Sequence, residues 1–362
     1  MKKLHAKILF LFFYIGVIFN SFSQQLVNTG SLFQGGVADG VKLVEYYIKP
    51  VNKAIISGIN NTEYNSLKIY EDTPKRLSIS IRISTIIIPE KDRQFRVDTM
   101  QFQKIKVDSG IYAQTVFGDT IRSVVFVSKD STLGYTNDIP PQPYWKPVFS
   151  FHSAPGSGYH IMPIPYLQAA YNFGFGNLSV NLVPATPLLG SDMNLLLFGA
   201  AWQQNLLPFL KDKPFVLSGI AGFNTIRASA HLHIEPDPSI ISFDKNTYDN
   251  QFIKINYLNL FATLYGSYHF SQKLLIYGGA GYTWGESLVN VLGTYPVYQK
   301  DPTGATSVTV DNIEDPMKNS QTVYNRIKAV VGTQINLGNW YIQANYTIAE
   351  YSGLGIVLGI KI

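Results

Sequence analysis

Side chains that commonly bind metal ions are concentrated in one short stretch, HLHIEPD. Because side chains alternate between the faces of a strand, an extended backbone would place four ligands on one face: His231, His233, Glu235 and Asp237. Imidazole and carboxylate groups that lie this close together can bind zinc. Prolines 236 and 238 interrupt the strand, however, and a long polar segment follows. We therefore predict a solvated loop rim, with no metal ion.

No catalytic set can be assigned from the spacing of reactive residues. His152 and His160 lie among serine and glycine residues in FHSAPGSGYH, but no nucleophile, base and orienting group can be matched to them. The chain has no cysteine, which excludes a thiol nucleophile, a thiolate metal site and disulfides. The sequence therefore predicts a protein without catalytic residues or a cofactor, rather than an enzyme.

Aromatic side chains at alternate strand positions are the better candidates for a site. Five are predicted to face inward: Tyr257, Phe261, Tyr265, Tyr277 and Tyr341. A water-filled porin prefers charged groups in its channel, because ions must stay hydrated. Inward aromatic rings suit either packing against a plug or a site for an apolar ligand. Both alternatives stay open at this point.

These aromatic residues lie in segments in which apolar and polar side chains alternate. In the closing YSGLGIVLGIKI, the leucine and isoleucine side chains share one face, whereas the glycines and Lys361 share the other. Alternation over about ten residues fits a tilted strand that crosses a bilayer. We predict nine such strands from residue 163 onward and at least one before it, at 76–88. Residues 89–162 hold either further strands or one extracellular excursion, so 10–14 strands are predicted, in an even number.

The lengths of the connections favour a membrane barrel over a soluble sandwich. Tight links near 174–176, 271–273 and 338–339 alternate with long polar segments near 231–251 and 295–322. Outer-membrane barrels have short periplasmic turns and long extracellular loops, whereas a sandwich gives no reason for this asymmetry. The predicted fold is all-β, a transmembrane antiparallel β-barrel over residues 76–362.

The first residues have the features of a signal peptide. Lysines 2, 3 and 7 precede an apolar run over 8–19, and small residues then precede Gln24. We predict that residues 1–23 are removed on export and that the protein resides in the outer membrane. The whole chain has 29 basic and 24 acidic residues, so removal of three lysines leaves 26 against 24. With so small a net charge, no nucleic-acid partner is expected.

A plug-like segment is predicted between the signal peptide and the barrel, over residues 24–75. In GGVADGVKLVEYYIKP, four apolar residues recur at helical spacing: Val37, Val41, Val44 and Ile48. Pro50 is the predicted end of this short helix. The helix could plug the lumen or pack at its periplasmic mouth, and it could gate the lumen or only cap it.

The order of several stretches resembles an uncharacterised family of outer-membrane barrels of diderm bacteria, a domain of unknown function. The stretches include SISIRISTIIIPEKDRQF and PIPYLQAAYNFGFGNLSVNLVPATPL, and the resemblance covers most of the exported chain. The layout of a plug before a barrel is more distantly similar to the long-chain fatty-acid transporter family, which implies passage of hydrophobic small molecules. Where that family carries Asn-Pro-Ala, this chain has QLVNTGSLFQGG.

Together these observations predict a channel or uptake protein for small hydrophobic compounds, with membrane lipid around it. The outer loops would capture the compound, the aromatic lumen would receive it, and movement of residues 24–50 would release it. The alternative is a structural or secretion-associated barrel. It would bind surface-protein partners through residues 89–162, 231–251 and 295–322.

Overall fold

Ten long strands close into an antiparallel barrel in the computed structural model. The structure describes residues 28–67, 76–135, 140, 142–187, 193–210, 213–232, 234–236, 243–301 and 308–362, so the predicted signal peptide lies outside it. Within these residues the barrel strands are β1 (Leu77–Ile87), β2 (Ile161–Asn172), β3 (Gly176–Pro187), β4 (Met193–Asn205), β5 (Phe215–His231), β6 (Phe252–His269), β7 (Leu274–Leu292), β8 (Met317–Leu337), β9 (Trp340–Ile348) and β10 (Gly353–Lys361). Strand β1 closes the barrel against β10, with Ile81 opposite Leu358. The predicted barrel is confirmed, at the lower end of the predicted range of strands.

Alternation along each strand separates an apolar outer wall from an interior that contains the buried polar side chains of the strands. In β6, Leu258, Leu260 and Leu264 are exposed on the outside, whereas Asn259 and Thr263 are buried inside. A soluble barrel would reverse this pattern, because water would surround it and apolar side chains would fill its core. In β10 the leucine and isoleucine side chains likewise face outward and the glycines face inward, as predicted.

The two ends of the barrel differ in the length of their connections. One end, here called the tight-turn end, has short links such as Gly338–Asn339 between β8 and β9, where Gly338 has φ 65°. Glycine adopts this left-handed conformation without steric cost. The other end, here called the long-loop end, carries residues 88–160, 232–251 and 293–316.

Residues 88–160, here called the cap, form a folded excursion rather than further barrel strands. Their short strands pair in three small sheets: Gln94–Arg96 with Tyr112–Gln114; Ile105–Ser109, Val125–Ser128 and Ser150–His152; and Ser131–Tyr135 with Pro143–Pro147. The backbone N–H of Ile88 donates to the carbonyl of His160 at 2.9 Å, so the chain leaves and re-enters the barrel at one point. This decides between the two alternatives that the sequence left open.

A single α-helix, α1 (Val37–Gly58), is the only one of its kind within the described residues, and it is longer than predicted. The prediction that Pro50 ends the helix was wrong, because Pro50 lies inside it and is buried. Proline removes one helical donor. Nearby, the carbonyl of Tyr47 accepts a hydrogen bond from Val116 N of the cap at 3.1 Å, and packing of the following turns inside the barrel keeps the helix intact. No described helix is long and apolar enough to span a membrane.

The buried face of α1 differs in part from the predicted one. Val44 and Ile48 are buried as expected for a plug face, and Val41 is half-buried against the core. Val37 is 39% exposed, so its assignment to the plug face was wrong. Val37 is the first residue of the helix, so it belongs to the apolar spacing but lies outside the part of the helix that packs in the lumen. Asp39, in the first turn of the helix, is also buried.

The amino-terminal segment crosses the lumen from the long-loop end to the tight-turn end. Helix α1 begins under the cap, and residues 59–67, here called the plug segment, continue inside the barrel. At the tight-turn end, the Asn172 side chain donates to the carbonyl of Leu67 at 3.0 Å and its backbone N–H donates to Arg76 O at 2.9 Å. The helix therefore does not pack at the tight-turn mouth, which was the predicted alternative.

Candidate functional site

The half of the lumen near the long-loop end is apolar and is filled by α1. Inward side chains of the wall, among them Leu197, Ile226 and Val289, are at most 2% exposed and pack with Ile48 and Ile56 in one cluster. The contact is close, because a Cβ added at Gly285 of β7 would lie 2.4 Å from Cγ2 of Ile56. Glycine at this position lets the helix approach the wall.

All five predicted lumen aromatics lie inside the barrel and are at most 5% exposed: Tyr257, Phe261, Tyr265, Tyr277 and Tyr341. The Tyr257 hydroxyl donates to Asn52 Oδ1 of α1 at 2.7 Å. Tyr277 stacks on Tyr64 of the plug segment, with ring centroids 4.0 Å apart. Four of them therefore surround the plug rather than an open channel, and their role in lining a ligand stays a prediction.

Tyr341 lies apart from the other four, near the tight-turn end. It lines a cavity of about 40 Å³ together with Asn65, Asn172 and Lys361. Its ring lies 5.6 Å from Lys361 Nζ, within range of a cation–π contact. This cavity has room for about one water molecule and reaches the plug segment from the tight-turn end.

Buried cations on the wall bind the backbone of the plug. Arg82 of β1 donates to the carbonyls of Thr62 and Tyr64, and to Asn65 Oδ1 at 2.5 Å. Arg326 of β8 donates to the carbonyl of Ser57 and to Asn61 Oδ1. A guanidinium group suits this task, because it presents five donors in a fixed plane.

Amide side chains satisfy further carbonyls of the same stretch. Asn259 Nδ2 donates to Ile56 O at 3.0 Å, and Asn345 Nδ2 donates to Asn61 O at 2.7 Å. The Tyr166 hydroxyl donates to Ile59 O at 3.3 Å. The wall thus replaces the water that these carbonyls would otherwise bind, which holds the plug segment in one conformation.

A fully buried ion pair joins the plug segment to β8. Lys328 Nζ lies 2.7 Å from Glu63 Oε1, and the side chains are 0% and 3% exposed. The same oxygen accepts from Thr263 Oγ1 at 2.7 Å and from the Tyr265 hydroxyl at 3.1 Å. Three wall donors therefore converge on one carboxylate oxygen.

Sequence reasoning had not singled out the charged members of this site. Alternation of side chains does put Arg82 and Lys328 on the polar faces of their strands, and this is the signal in the sequence that could have indicated an inward position. The sequence did not indicate that Glu63 is the partner of Lys328, because Glu63 lies 265 residues away in the chain and belongs to no motif.

Those metal-ligand and histidine candidates that the structure describes do not come together as a site. His231 is exposed at the end of β5, whereas His233 and Asp237 lie outside the described residues. No group of three metal-binding side chains occurs among the residues that the structure describes. His160 Nε2 lies 4.0 Å from Asp119 Oδ1 near the neck of the cap, and His152 is exposed on a cap strand.

These features define a class: an antiparallel β-barrel of the outer-membrane type whose lumen is filled by its own amino-terminal segment. The chain belongs to DUF6588, a family of unknown function, over residues 1–362. The predicted resemblance to an uncharacterised barrel family is confirmed at this level, whereas the likeness to fatty-acid transporters stays a prediction. No curated protein matches the chain.

Solved outer-membrane barrels are similar to the chain at low identity. The COG4313 outer membrane channel from Pseudomonas putida F1 is 11% identical, covers 83% of this chain and 100% of its own, and has a TM-score of 0.35. The P. putida toluene transporter TodX is 8% identical, with coverages of 80% and 90% and a TM-score of 0.25. The Escherichia coli protease OmpT is 12% identical, with coverages of 83% and 97% and a TM-score of 0.29. Likeness at this level assigns no activity to this chain.

Proposed function

We propose that this protein is an outer-membrane barrel that takes up small hydrophobic compounds when α1 and the plug segment move. The observation that carries the proposal is the apolar half of the lumen at the long-loop end, which α1 fills with its own apolar face. Displacement of the helix would expose an apolar chamber, and an apolar solute would enter it in preference to water.

The aromatic side chains between this chamber and the centre of the lumen support a route along which an apolar compound would pass. Tyr257, Phe261 and Tyr265 lie on inward positions of β6, so aromatic faces continue from the apolar half toward the centre. Aromatic rings bind apolar molecules through large flat surfaces. At the entrance, the cap presents exposed apolar side chains, including Met100 at 92% and Ile111 at 60% exposure, that suit capture.

A disulfide that fixes the plug to the wall tests the proposal. The chain has no native cysteine, so the pair Ile56→Cys and Gly285→Cys would be its only thiols. The short distance between these positions suits a disulfide, which needs Cβ atoms about 3.8 Å apart. In vesicles, we expect the oxidised protein to block entry of a fluorescent apolar probe such as 1-N-phenylnaphthylamine, and reduction to restore it. Each single cysteine variant is the control.

The outcomes separate the proposed function from its alternative. Probe entry that is unaffected by complete cross-linking would show that the plug does not move during transport. Entry no faster than in empty vesicles, both before and after reduction, would favour the structural or partner-binding barrel. The exposed cap residues Met100, Ile111 and Ile121 are the observation that keeps this second function in view.

A further inference from the structure

Charges inside the barrel wall have one sign. Among the described barrel strands, three ionised side chains project into the centre of the lumen, and all are cationic: Arg82, Arg326 and Lys328, at most 5% exposed. In the described parts of the same strands the acidic side chain is Glu286, and it lies on the outer face of the barrel. The counter-charge in the centre comes from Glu63, which belongs to the plug segment and not to the wall.

The wall around the Glu63 carboxylate has the form of a binding site. Lys328 of β8 donates from one side, and Thr263 and Tyr265 of β6 donate from the other. Strand β7 runs between them and presents glycine there. A Cβ at Gly281 would lie 2.4 Å from Thr263 Oγ1, and one at Gly279 would lie 2.5 Å from the Tyr265 ring. Thr263 and Tyr265 can therefore lie across β7 toward Glu63, because β7 has no side chain at these positions.

The ion pair between Lys328 and Glu63 uses only one of the two carboxylate oxygens. Glu63 Oε1 accepts three hydrogen bonds, whereas Oε2 has no hydrogen-bond partner among the described residues. A buried ion pair that serves stability alone gains most when every oxygen is satisfied. The wall thus binds one oxygen of a carboxylate, and any carboxylate that reaches the centre could satisfy the same donors.

We infer that Lys328, Thr263 and Tyr265 form a carboxylate-binding site and that Glu63 occupies it as an internal ligand. This inference rests on the proposed function, in which an incoming compound takes the place of the plug. Withdrawal of the plug would leave Lys328 without a counter-charge in a site of low dielectric, which is unfavourable. A compound with an apolar body and a carboxylate removes that cost, because its apolar part suits the outer half of the lumen and its carboxylate replaces Glu63.

Refolding of Glu63→Ala with acetate tests the site directly. The substitution removes the atoms beyond Cβ, a group of the size and charge of acetate, and leaves the three donors in place. Refolding into detergent micelles is compared in sodium acetate and in sodium chloride at equal ionic strength. We expect acetate to raise the ratio of folded to unfolded protein about tenfold when its concentration is about ten times its Kd. The wild-type protein should show no difference between the two salts.

The double variant Glu63→Leu with Lys328→Met is the matched control. It replaces the ion pair with apolar side chains of similar size, and we expect it to fold equally in both salts. Equal refolding of Glu63→Ala in acetate and chloride would overturn the inference, and so would failure to fold in both. Rescue of Glu63→Ala and of the double variant alike would also overturn it, because acetate would then act elsewhere. No transport is measured, so the outcome is distinct from that of the probe-entry experiment.

Discussion

Lys53 Nζ of helix α1 lies 3.1 Å from Glu350 Oε1, in the turn between the last two barrel strands. Lys91 of the cap lies 3.2 Å from the same oxygen, and the Tyr324 hydroxyl of β8 donates to Glu350 Oε2 at 3.0 Å. One carboxylate at the long-loop end therefore contacts the helix, the cap and the wall. These contacts form a latch that any outward movement of α1 must open.

Removal of the Glu350 charge should loosen α1 without unfolding the barrel. We expect Glu350→Gln to lower the free energy of local helix opening by about 1 kcal/mol, because partly exposed ion pairs contribute little individually. Hydrogen exchange of the α1 amides should accelerate, whereas exchange in β8 and β9 should stay unchanged. Lys91→Gln is the control, with a smaller effect expected because the Lys91 side chain is 67% exposed. Equal acceleration across the strands would contradict the latch.

The same carboxylate should make the latch sensitive to acid. Burial of Glu350 raises its pKa, but hydrogen bonds from Lys53, Lys91 and Tyr324 and the charge of Lys53 outweigh this effect and hold the pKa below its ordinary value of 4.5. A carboxyl group whose pKa is lower in the folded state stabilises that state at pH values above its unfolded-state pKa. This stabilisation is lost as the pH falls through the folded-state pKa. We expect exchange in α1 to accelerate in the wild-type protein as the pH falls below the ordinary value of 4.5 and through the lower pKa of Glu350 in the folded state. The acid-induced change should be reduced in Glu350→Gln.

Arg82 should matter more than any surface charge, because it holds the plug segment from within the wall. We expect Arg82→Met to lower the free energy of unfolding by about 3 kcal/mol, since carbonyls of Thr62 and Tyr64 lose a buried donor. Arg82→Lys keeps the charge but not the planar fork, so an intermediate loss is expected. Urea unfolding in lipid vesicles measures both. A loss no larger than for Glu350→Gln would show that the plug is held elsewhere.

Much of the barrel could be predicted from alternation, whereas the contacts of the plug-like segment with the wall could not. Alternation depends on residues two apart, so the inward positions of Tyr265, Arg82 and Lys328 followed from each strand alone. The partners of these residues lie in the plug segment, and contacts between distant parts of the chain leave no local pattern. The predicted helix end at Pro50 was wrong for a related reason. Local propensity would end the helix there, but tertiary packing stabilises the helix beyond it.

Inward and outward glycines of one strand should differ in their tolerance of a methyl group. In β7, a Cβ at Gly285 would lie 2.4 Å from Ile56, whereas a Cβ at Gly278 on the outer face would meet its nearest atom, Val330 O, at 3.5 Å. We expect Gly285→Ala to lower the free energy of unfolding by about 1–3 kcal/mol through overpacking, and Gly278→Ala to change it little. Similar values for the two variants in urea titrations would argue against close contact between α1 and the wall.

Asp39 joins the first turn of α1 to the cap, and its loss should release the cap while the barrel stays closed. Its carboxylate accepts from the backbone N–H groups of Gln103, Lys104 and Ile105, at 2.8, 2.7 and 3.2 Å. Since Asp39 is 2% exposed, these donors have no water to replace it. We expect Asp39→Ala to speed proteolysis within 98–109 at least about tenfold, an effect of about 1.4 kcal/mol on local opening. Asp98→Ala is the matched control, because among the described residues the Asp98 carboxylate accepts only from Met100 N, in its own exposed turn. Unchanged cleavage in Asp39→Ala would show that the other contacts between the cap and α1 are enough to hold the cap in place.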